Sequence, residues 1–344
     1  MSDRDGSAPT SAVLVVSFGG PEGPDDVVPF LERVTHGRDV PPDRLKAVAR
    51  QYLRFGGVSP INGQNRALVA ALTDELRHHD LHLPVYWGNR NWHPLLADTV
   101  AAMRDDGIEH AWCFVTSAFG SYSGCRQYLE DLDRARAEVG RGAPTLAKLR
   151  LYWNHPGFLK PFVDATAAAW SEISAARSPR LVFTAHSLPL ALADSSPYVS
   201  QLRRAAAIVA SDAAPAADWD LVFQSRSGPP RVPWLEPDIG AHLRSLADAG
   251  HDAVVVVPLG FTSDHQEVVF DLDTQAAEIA AEVGLRMVRV PTPGTHPAFV
   301  AMIRELVEER LDGSGDQRRV WPGTTAEPDI CSPTCCHQLG TVPA

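Results

Sequence analysis

The sequence predicts an α/β protein with two similar Rossmann-like domains, each a four-stranded parallel sheet flanked by helices. Three observations carry this reading. Strand-like and helix-like segments alternate along the chain, and a series of four such pairs occurs twice. The strand-like runs are continuously apolar, as in Val254-Val255-Val256-Val257, which is the pattern of strands buried on both faces. The ends of equivalent strands also match in kind. First strands run into Phe18-Gly19-Gly20-Pro21 and His186-Ser187-Leu188-Pro189, third strands into Thr116-Ser117-Ala118-Phe119-Gly120 and Pro258-Leu259-Gly260-Phe261-Thr262.

Taken in order, residues 1–11 form a polar lead-in expected to be disordered. An N-terminal α/β domain is expected over 12–160. Its first strand is Ala12 to Ser17, followed by a helix from Asp25 to Val34 and another from Asp43 to Tyr52. Asn65 to His78 has the apolar spacing of a long amphipathic helix. Pro84 to Gly88 reads as strand, Pro94 to Met103 as helix, Ala111 to Ser117 as strand and Arg126 to Val139 as helix. The apolar run Leu149 to Trp153 is expected to be the fourth strand. The C-terminal α/β domain is expected over 161–312. It opens with a linking helix, Pro161 to Ala176, and then repeats the order. Strands are Arg180 to Ala185, Asp220 to Gln224, Ala253 to Pro258 and Arg286 to Val290. The helices are Tyr198 to Ser211, Ile239 to Ala249, Gln266 to Val283 and His296 to Leu311, and Thr262 or Ser263 is the expected cap of the third. Residues 313–344 form a cysteine-containing tail.

Composition narrows the partners. The 344 residues carry 31 basic and 42 acidic side chains, a net charge of −11, which argues against a nucleic-acid partner. No apolar run approaches the ~18 residues that a membrane span needs, and the polar N-terminus lacks a signal h-region, so a cytoplasmic location without stable membrane insertion is expected. The sequence does not give the oligomeric state, and a monomer is compatible with it. No GxGxxG or P-loop lysine motif follows any strand, so nucleotide binding is not favoured. In open α/β sheets ligands bind beyond the carboxyl ends of strands, which directs attention to Phe18, Tyr122, His186 and the stretch Asp264 to Asp271.

Glu267 and Asp271 are four residues apart and share a helical face, where like charges repel unless a cation is near. They are either ligands for a divalent ion or a solvated first turn favoured by the helix dipole. His186 directly follows a buried strand, where it is either a base or metal ligand or a histidine satisfied by local backbone. First and third strands of such a domain are commonly neighbours, which would bring His186 and Glu267 to one cavity. Of the five cysteines, Cys113 lies inside a strand and reads as a buried apolar residue, while Cys331, Cys335 and Cys336 crowd together near the C-terminus. An odd count in a cytoplasmic chain speaks for a metal or cluster over a disulfide framework.

These residues resemble the ferrochelatase family. The resemblance rests on FTAHSLP around His186 and LGFTSDHQEVVFDLD around Glu267. It is extended by SFGGPEGPDDVVPFL, YLRFGGVSPIN, TSAFGSYSGCRQYLEDL and VFQSRSGPPRVPWLEPDI, and covers residues 12 to 312. It implies an enzyme of haem biosynthesis that inserts ferrous iron into a porphyrin held between two similar four-stranded domains. It implies that His186 and Glu267 handle the iron and the pyrrole protons, with either taking the first proton, and that Asp271 offers iron a further oxygen site. A neutral imidazole suits both tasks, since it accepts protons and ligates Fe²⁺.

By the same resemblance Ser59 and Tyr122 donate hydroxyls to the porphyrin's propionates, although Ser59 before Pro60 reads equally well as a turn residue. Phe18 stands where relatives often carry a tyrosine that approaches the metal, and it has no oxygen to offer. Thr35, His36 and Gln51 fall where some relatives have arginine, and Arg33, Arg38, Arg50 and Arg54 are the nearest substitutes. Cys125 with Cys331, Cys335 and Cys336 matches the ligands of relatives that carry a [2Fe-2S] cluster. The alternatives are zinc, with His337 as a ligand, and a reactive tail. Modest hydrophobicity and the lack of an apolar lip favour the four-carboxylate coproporphyrin III as substrate. The alternatives are protoporphyrin IX, a cobalt or nickel tetrapyrrole chelatase, and a haem-binding protein on the same scaffold.

Overall fold

The computed structural model describes residues 10–37, 40–228, 231–311, 318–332 and 335–336. Most of the lead-in, Arg38, His337 and much of the tail lie outside the described residues. Two compact units share the chain. The described residues of Met1–Thr116, Gln127–Arg150 and Ile303–Asp316 make the first, and those of Ser117–Arg126, Leu151–Met302 and Gln317–Ala344 the second.

The first unit is built on strands β1 (Ser11–Ser17), β2 (Val85–Asn89), β3 (His110–Val115) and β4 (Thr145–Lys148), all parallel, in the order β2-β1-β3-β4. Around it lie helices α1 (Val27–Val34), α2 (Pro42–Arg54), α3 (Ile61–His78), α4 (Leu96–Asp105) and α5 (Gln127–Val139). The central β1 is inaccessible from Ala12 to Val16, as its unbroken apolar run requires, and one of its faces packs on Val100, Met103 and Leu132 of α4 and α5. This unit also holds a buried ion pair, Arg150 Nε to Glu309 Oε2 at 2.7 Å and Nη2 to Oε1 at 2.8 Å.

The second unit opens with α6 (Pro156–Ile173) and holds strands β5 (Pro179–His186), β6 (Trp219–Gln224), β7 (Ala253–Val257) and β8 (Arg286–Arg289). Their order, β6-β5-β7-β8, repeats that of the first sheet, and every pairing is again parallel. Helices α7 (Leu190–Asp194), α8 (Tyr198–Ala213), α9 (Ile239–Asp248), α10 (Gln266–Val268) and α11 (Ala277–Glu282) follow, and α12 (Pro297–Leu311) begins in this unit, its residues from Ile303 counting with the first. Between α10 and α11 the backbone widens into a π-helix over Val269–Ala276. Val268, Leu272, Ala276 and Ala280 enter the core of this unit together. A strict spacing of four drifts by about 40° per step around a 3.6-residue helix, and the widened turns cancel that drift.

Three local expectations change. The fourth strand is Thr145–Lys148, not Leu149 to Trp153. The ladder beside β3 ends once Leu149 N–H reaches Cys113 O, and the apolar run beyond is buried by ring packing instead, with Tyr152 against Phe158 and Phe299. The linking helix begins at Pro156, because His155 Nδ1 caps it by accepting from Gly157 N–H, and Pro161 lies inside it. The helix carrying Glu267 is capped by His265, whose Nδ1 accepts from Glu267 N–H at 3.1 Å, and not by Thr262 or Ser263. Among the described residues no helix is long and apolar enough to cross a membrane.

Candidate active site

His186 is the last residue of β5, and Glu267 lies on α10, which follows β7. Because β5 and β7 are neighbours, both side chains leave adjacent strands at the same sheet edge. Gly260 permits the close approach of the loop after β7. Its N–H donates to Thr184 O at 3.0 Å, and a Cβ there would fall 2.6 Å from the Ala185 Cβ. His186 Nε2 ends 3.7 Å from Glu267 Oε2.

The orientation of the imidazole follows from its other nitrogen. His186 Nδ1 lies 2.5 Å from Ser187 O, and a carbonyl can only accept, so Nδ1 carries a proton. In the neutral ring Nε2 therefore holds the lone pair, aimed at Glu267. It can accept a proton, with the carboxylate stabilising the imidazolium, or bind a metal. The 3.7 Å separation is shorter than two metal–ligand bonds of about 2.1 Å laid end to end, so one ion can touch both atoms. The backbone of His186 is also fixed, its carbonyl accepting from Tyr198 Oη–H at 3.0 Å.

Asp271 stands one turn beyond Glu267. Its carboxylate accepts from the Ser225 hydroxyl and from Gln224 Nε2 at 3.4 Å, both at the end of β6. Ser225 adopts a φ of 61°, an uncommon conformation that brings its hydroxyl to the acid. Burial pushes the Asp271 carboxyl up to about 6, assisted by the charge of Glu267 and opposed first by the Ser225 hydrogen bond. His265, half-buried beside this pair, is pushed down by burial and by His186, against the pull of Glu267 and Asp264. Asp264 and Asp273 are both held by an arginine. Arg289 claims both, through Nη1 to Asp264 at 2.9 Å and Nε to Asp273 at 2.7 Å.

Tyr122 opens a π-turn, Tyr122–Arg126, in the loop after β3, and it is partly buried within the second unit. Cys125 of the same turn is buried. Cys335 and Cys336 have their sulfurs 3.5 Å apart, and the Cys336 thiol is pushed up by burial, then by Cys335 and Cys125, against Arg126. Thiols are the right donors for an iron–sulfur group, and Cys125 lies close enough to Cys336 for its charge to be felt there. Among the described residues, however, no three His, Cys, Asp or Glu side chains are grouped so that they could hold a metal ion. Cys113 is fully buried in β3, and burial pushes its thiol up.

Phe18 and Ser59 belong to the first unit. The Phe18 ring is 37% exposed and stands edge-on to Phe30 at 6.3 Å. Ser59 is buried, donating its N–H to Pro21 O at 2.8 Å, with its hydroxyl against Gly20. Arg33, Arg50 and Arg54 are exposed, as are Val28, Leu53 and Val58. Sequence reasoning passed over Ser225, Gln224, Tyr198 and the capping role of His265. Only Ser225 carried a signal, its place in a Ser- and Gly-containing loop after a strand.

Comparison with known proteins places the chain. The family model described as ferrochelatase matches residues 10–311. The coproporphyrin III ferrochelatase of Nocardia farcinica is 52% identical over 337 residues, covering 94% of this chain and 96% of that protein. The corresponding protein of Frankia alni is 53% identical over 338 residues, covering 94% of this chain and 86% of that protein. The ferrochelatase of Rhodopirellula baltica is 49% identical over 330 residues, covering 95% and 93%. Among solved structures, SirB from Bacillus subtilis with Fe³⁺ superposes with a TM-score of 0.51 at 14% identity, covering 89% of this chain and 98% of that one. CbiX, the terminal enzyme of sirohaem biosynthesis in denitrifying bacteria, gives 0.50 at 17% identity, covering 86% and 98%. At these identities the two structures show a shared fold.

Proposed function

The chain belongs to the ferrochelatase family, a metal chelatase of haem biosynthesis acting on ferrous iron and a porphyrin, and we propose that its porphyrin is coproporphyrin III. The names of the similar proteins of Nocardia farcinica and Frankia alni support this choice. The observation that carries the site is the His186 Nε2 lone pair directed at Glu267 Oε2 across 3.7 Å.

Metallation requires that two pyrrole protons leave and that hydrated Fe²⁺ exchange water for nitrogen. His186 takes a pyrrole proton at Nε2, and the imidazolium so formed is stabilised by Glu267. Glu267 and then Asp271 offer oxygens along one helical face, a short path for an oxygen-seeking ion. With its carboxyl near 6, Asp271 exchanges protons readily close to neutrality. Tyr122 donates its hydroxyl to a propionate.

We also propose that Cys125, Cys331, Cys335 and Cys336 hold a [2Fe-2S] cluster. The spacing of the tail cysteines and the 3.5 Å approach of two sulfurs support it. Such a cluster would tie the tail, through three thiolates, to the Tyr122 loop, through Cys125. Visible absorbance together with acid-labile sulfide in freshly purified protein, both lost in Cys336→Ser, is the expected result. A colourless protein containing zinc overturns the cluster.

The substrate test is iron insertion into coproporphyrin III and protoporphyrin IX, followed at the Soret band. A higher kcat/KM for coproporphyrin is expected, and a preference for protoporphyrin refutes the choice. His186→Ala should lose about 10²–10⁴-fold in kcat, the usual contribution of a positioned proton acceptor. Full turnover in that variant removes His186 from the chemistry.

A further inference from the structure

Gln201 lies in the first turn of α8 and is 4% exposed. Both ends of its amide are used. Oε1 accepts from Gly120 N–H at 2.7 Å, and Nε2 donates to Glu327 Oε1 at 2.9 Å. Gly120 lies two residues before Tyr122, and its backbone rests on the start of α8. A Cβ there would fall 2.8 Å from Pro197 and 3.3 Å from Gln201 Oε1.

Glu327 belongs to a strap of tail residues laid on the second unit. Its Oε1 also accepts from Trp153 Nε1 at 2.7 Å. Asn154 Nδ2 donates to Thr325 O at 2.8 Å, and Arg318 Nη1 donates to Glu327 O at 3.1 Å. The other end of the same helical face reaches the chemistry. Tyr198, three residues before Gln201, donates its hydroxyl to His186 O and sets its ring against Phe119 at 6.3 Å.

A buried carboxamide has two orientations, and its partners choose between them. Gly120 N–H can only donate and the Glu327 carboxylate can only accept. Gly120 and Glu327 therefore both favour the rotation that turns Oε1 toward Gly120. Without Glu327 the buried Nε2 loses its acceptor, and the side chain is held against Gly120 by one hydrogen bond where two held it before.

We propose that Gln201 is a positioning residue that couples the docking of the C-terminal strap to the loop presenting Tyr122. The strap thereby sets porphyrin affinity from a distance, and whatever loosens it loosens the loop. This rests on the reading that Tyr122 holds a propionate.

The test is steady-state kinetics of the full-length protein against coproporphyrin III for Glu327→Ala, Glu327→Gln, Gln201→Leu, the double variant Glu327→Ala/Gln201→Leu, and Tyr122→Phe. Glu327→Ala and Gln201→Leu should each raise KM about fivefold, the effect of one buried hydrogen bond, with kcat little changed. Glu327→Gln keeps an acceptor and should restore KM, and the double variant should match Gln201→Leu alone. If Tyr122→Phe raises KM while Glu327→Ala and Gln201→Leu leave it unchanged, the coupling is refuted and the propionate reading stands. If Tyr122→Phe leaves KM unchanged, the propionate reading fails and takes the coupling with it. A fall in thermal midpoint with KM unaltered in the strap variants shows a structural role alone and overturns the proposal.

Discussion

Replacing Asp271 by asparagine removes a charge that the fold holds at a cost. An aspartate carboxyl of the unfolded chain titrates near 3.8, whereas Asp271 in the fold titrates at about 6, chiefly through burial. Between these values the native state binds more protons than the unfolded state, so stability falls as pH rises through the interval. Each unit of separation corresponds to about 1.4 kcal/mol, so the full penalty is ~3 kcal/mol, reached above the folded value and absent below the unfolded one. Asparagine keeps an acceptor for the Ser225 hydroxyl and never ionises. The stability gained by Asp271→Asn should therefore grow by about 2.4 kcal/mol between pH 4 and pH 7.5. The assay is urea denaturation of iron-free protein, wild type and variant in parallel, followed by tryptophan fluorescence across that range. A stability difference that stays flat with pH, or grows toward acid, refutes the burial argument. The same variant should insert iron more slowly if the carboxylate carries the ion, which separates its role in function from its cost in the fold.

Two further outcomes follow from the geometry. His265→Ala should cost ~1 kcal/mol by uncapping the helix of Glu267, and His265→Asn should recover most of it, since asparagine is a good cap; equal loss in both, measured by thermal melting, rejects the capping role. Glu309→Leu deprives the buried Arg150 of its bidentate carboxylate and should cost ~3–5 kcal/mol, while Arg150→Met with Glu309→Leu should cost much less; additive losses in denaturation experiments exclude the pair as described.

Much of the fold was legible because its central strands announce themselves. Ala12 to Val16 and Val254 to Val257 are apolar on both faces, and only a strand covered by helices on both sides needs that. The neighbourhood of His186 and Glu267 was legible for a topological reason, the pairing of first and third strands. The fourth strand was misplaced because Leu149 to Trp153 is more apolar than Thr145–Lys148. Burial by aromatic rings and burial in a ladder leave the same mark on composition, and a short edge strand leaves little. The His265 cap was missed because imidazoles seldom take that role, and the π-turns because an i→i+5 ladder has no residue preference of its own. The Gln201 bridge was beyond reach, since its partners lie 81 and 126 positions away along the chain.

The widened helix after β7 works as a gearing between two columns. An ordinary α-helix that kept Val268, Leu272, Ala276 and Ala280 in the core would slowly screw Glu267 and Asp271 out of register with one another. Slackening the pitch locks the column of oxygens to the column of methyls. Winding the same residues as an ordinary α-helix would rotate the entrance of the helix against its exit, turning Glu267 away from His186 while the apolar inventory stayed intact. The reactive geometry is thus stored in the winding of the backbone as much as in the identity of the side chains.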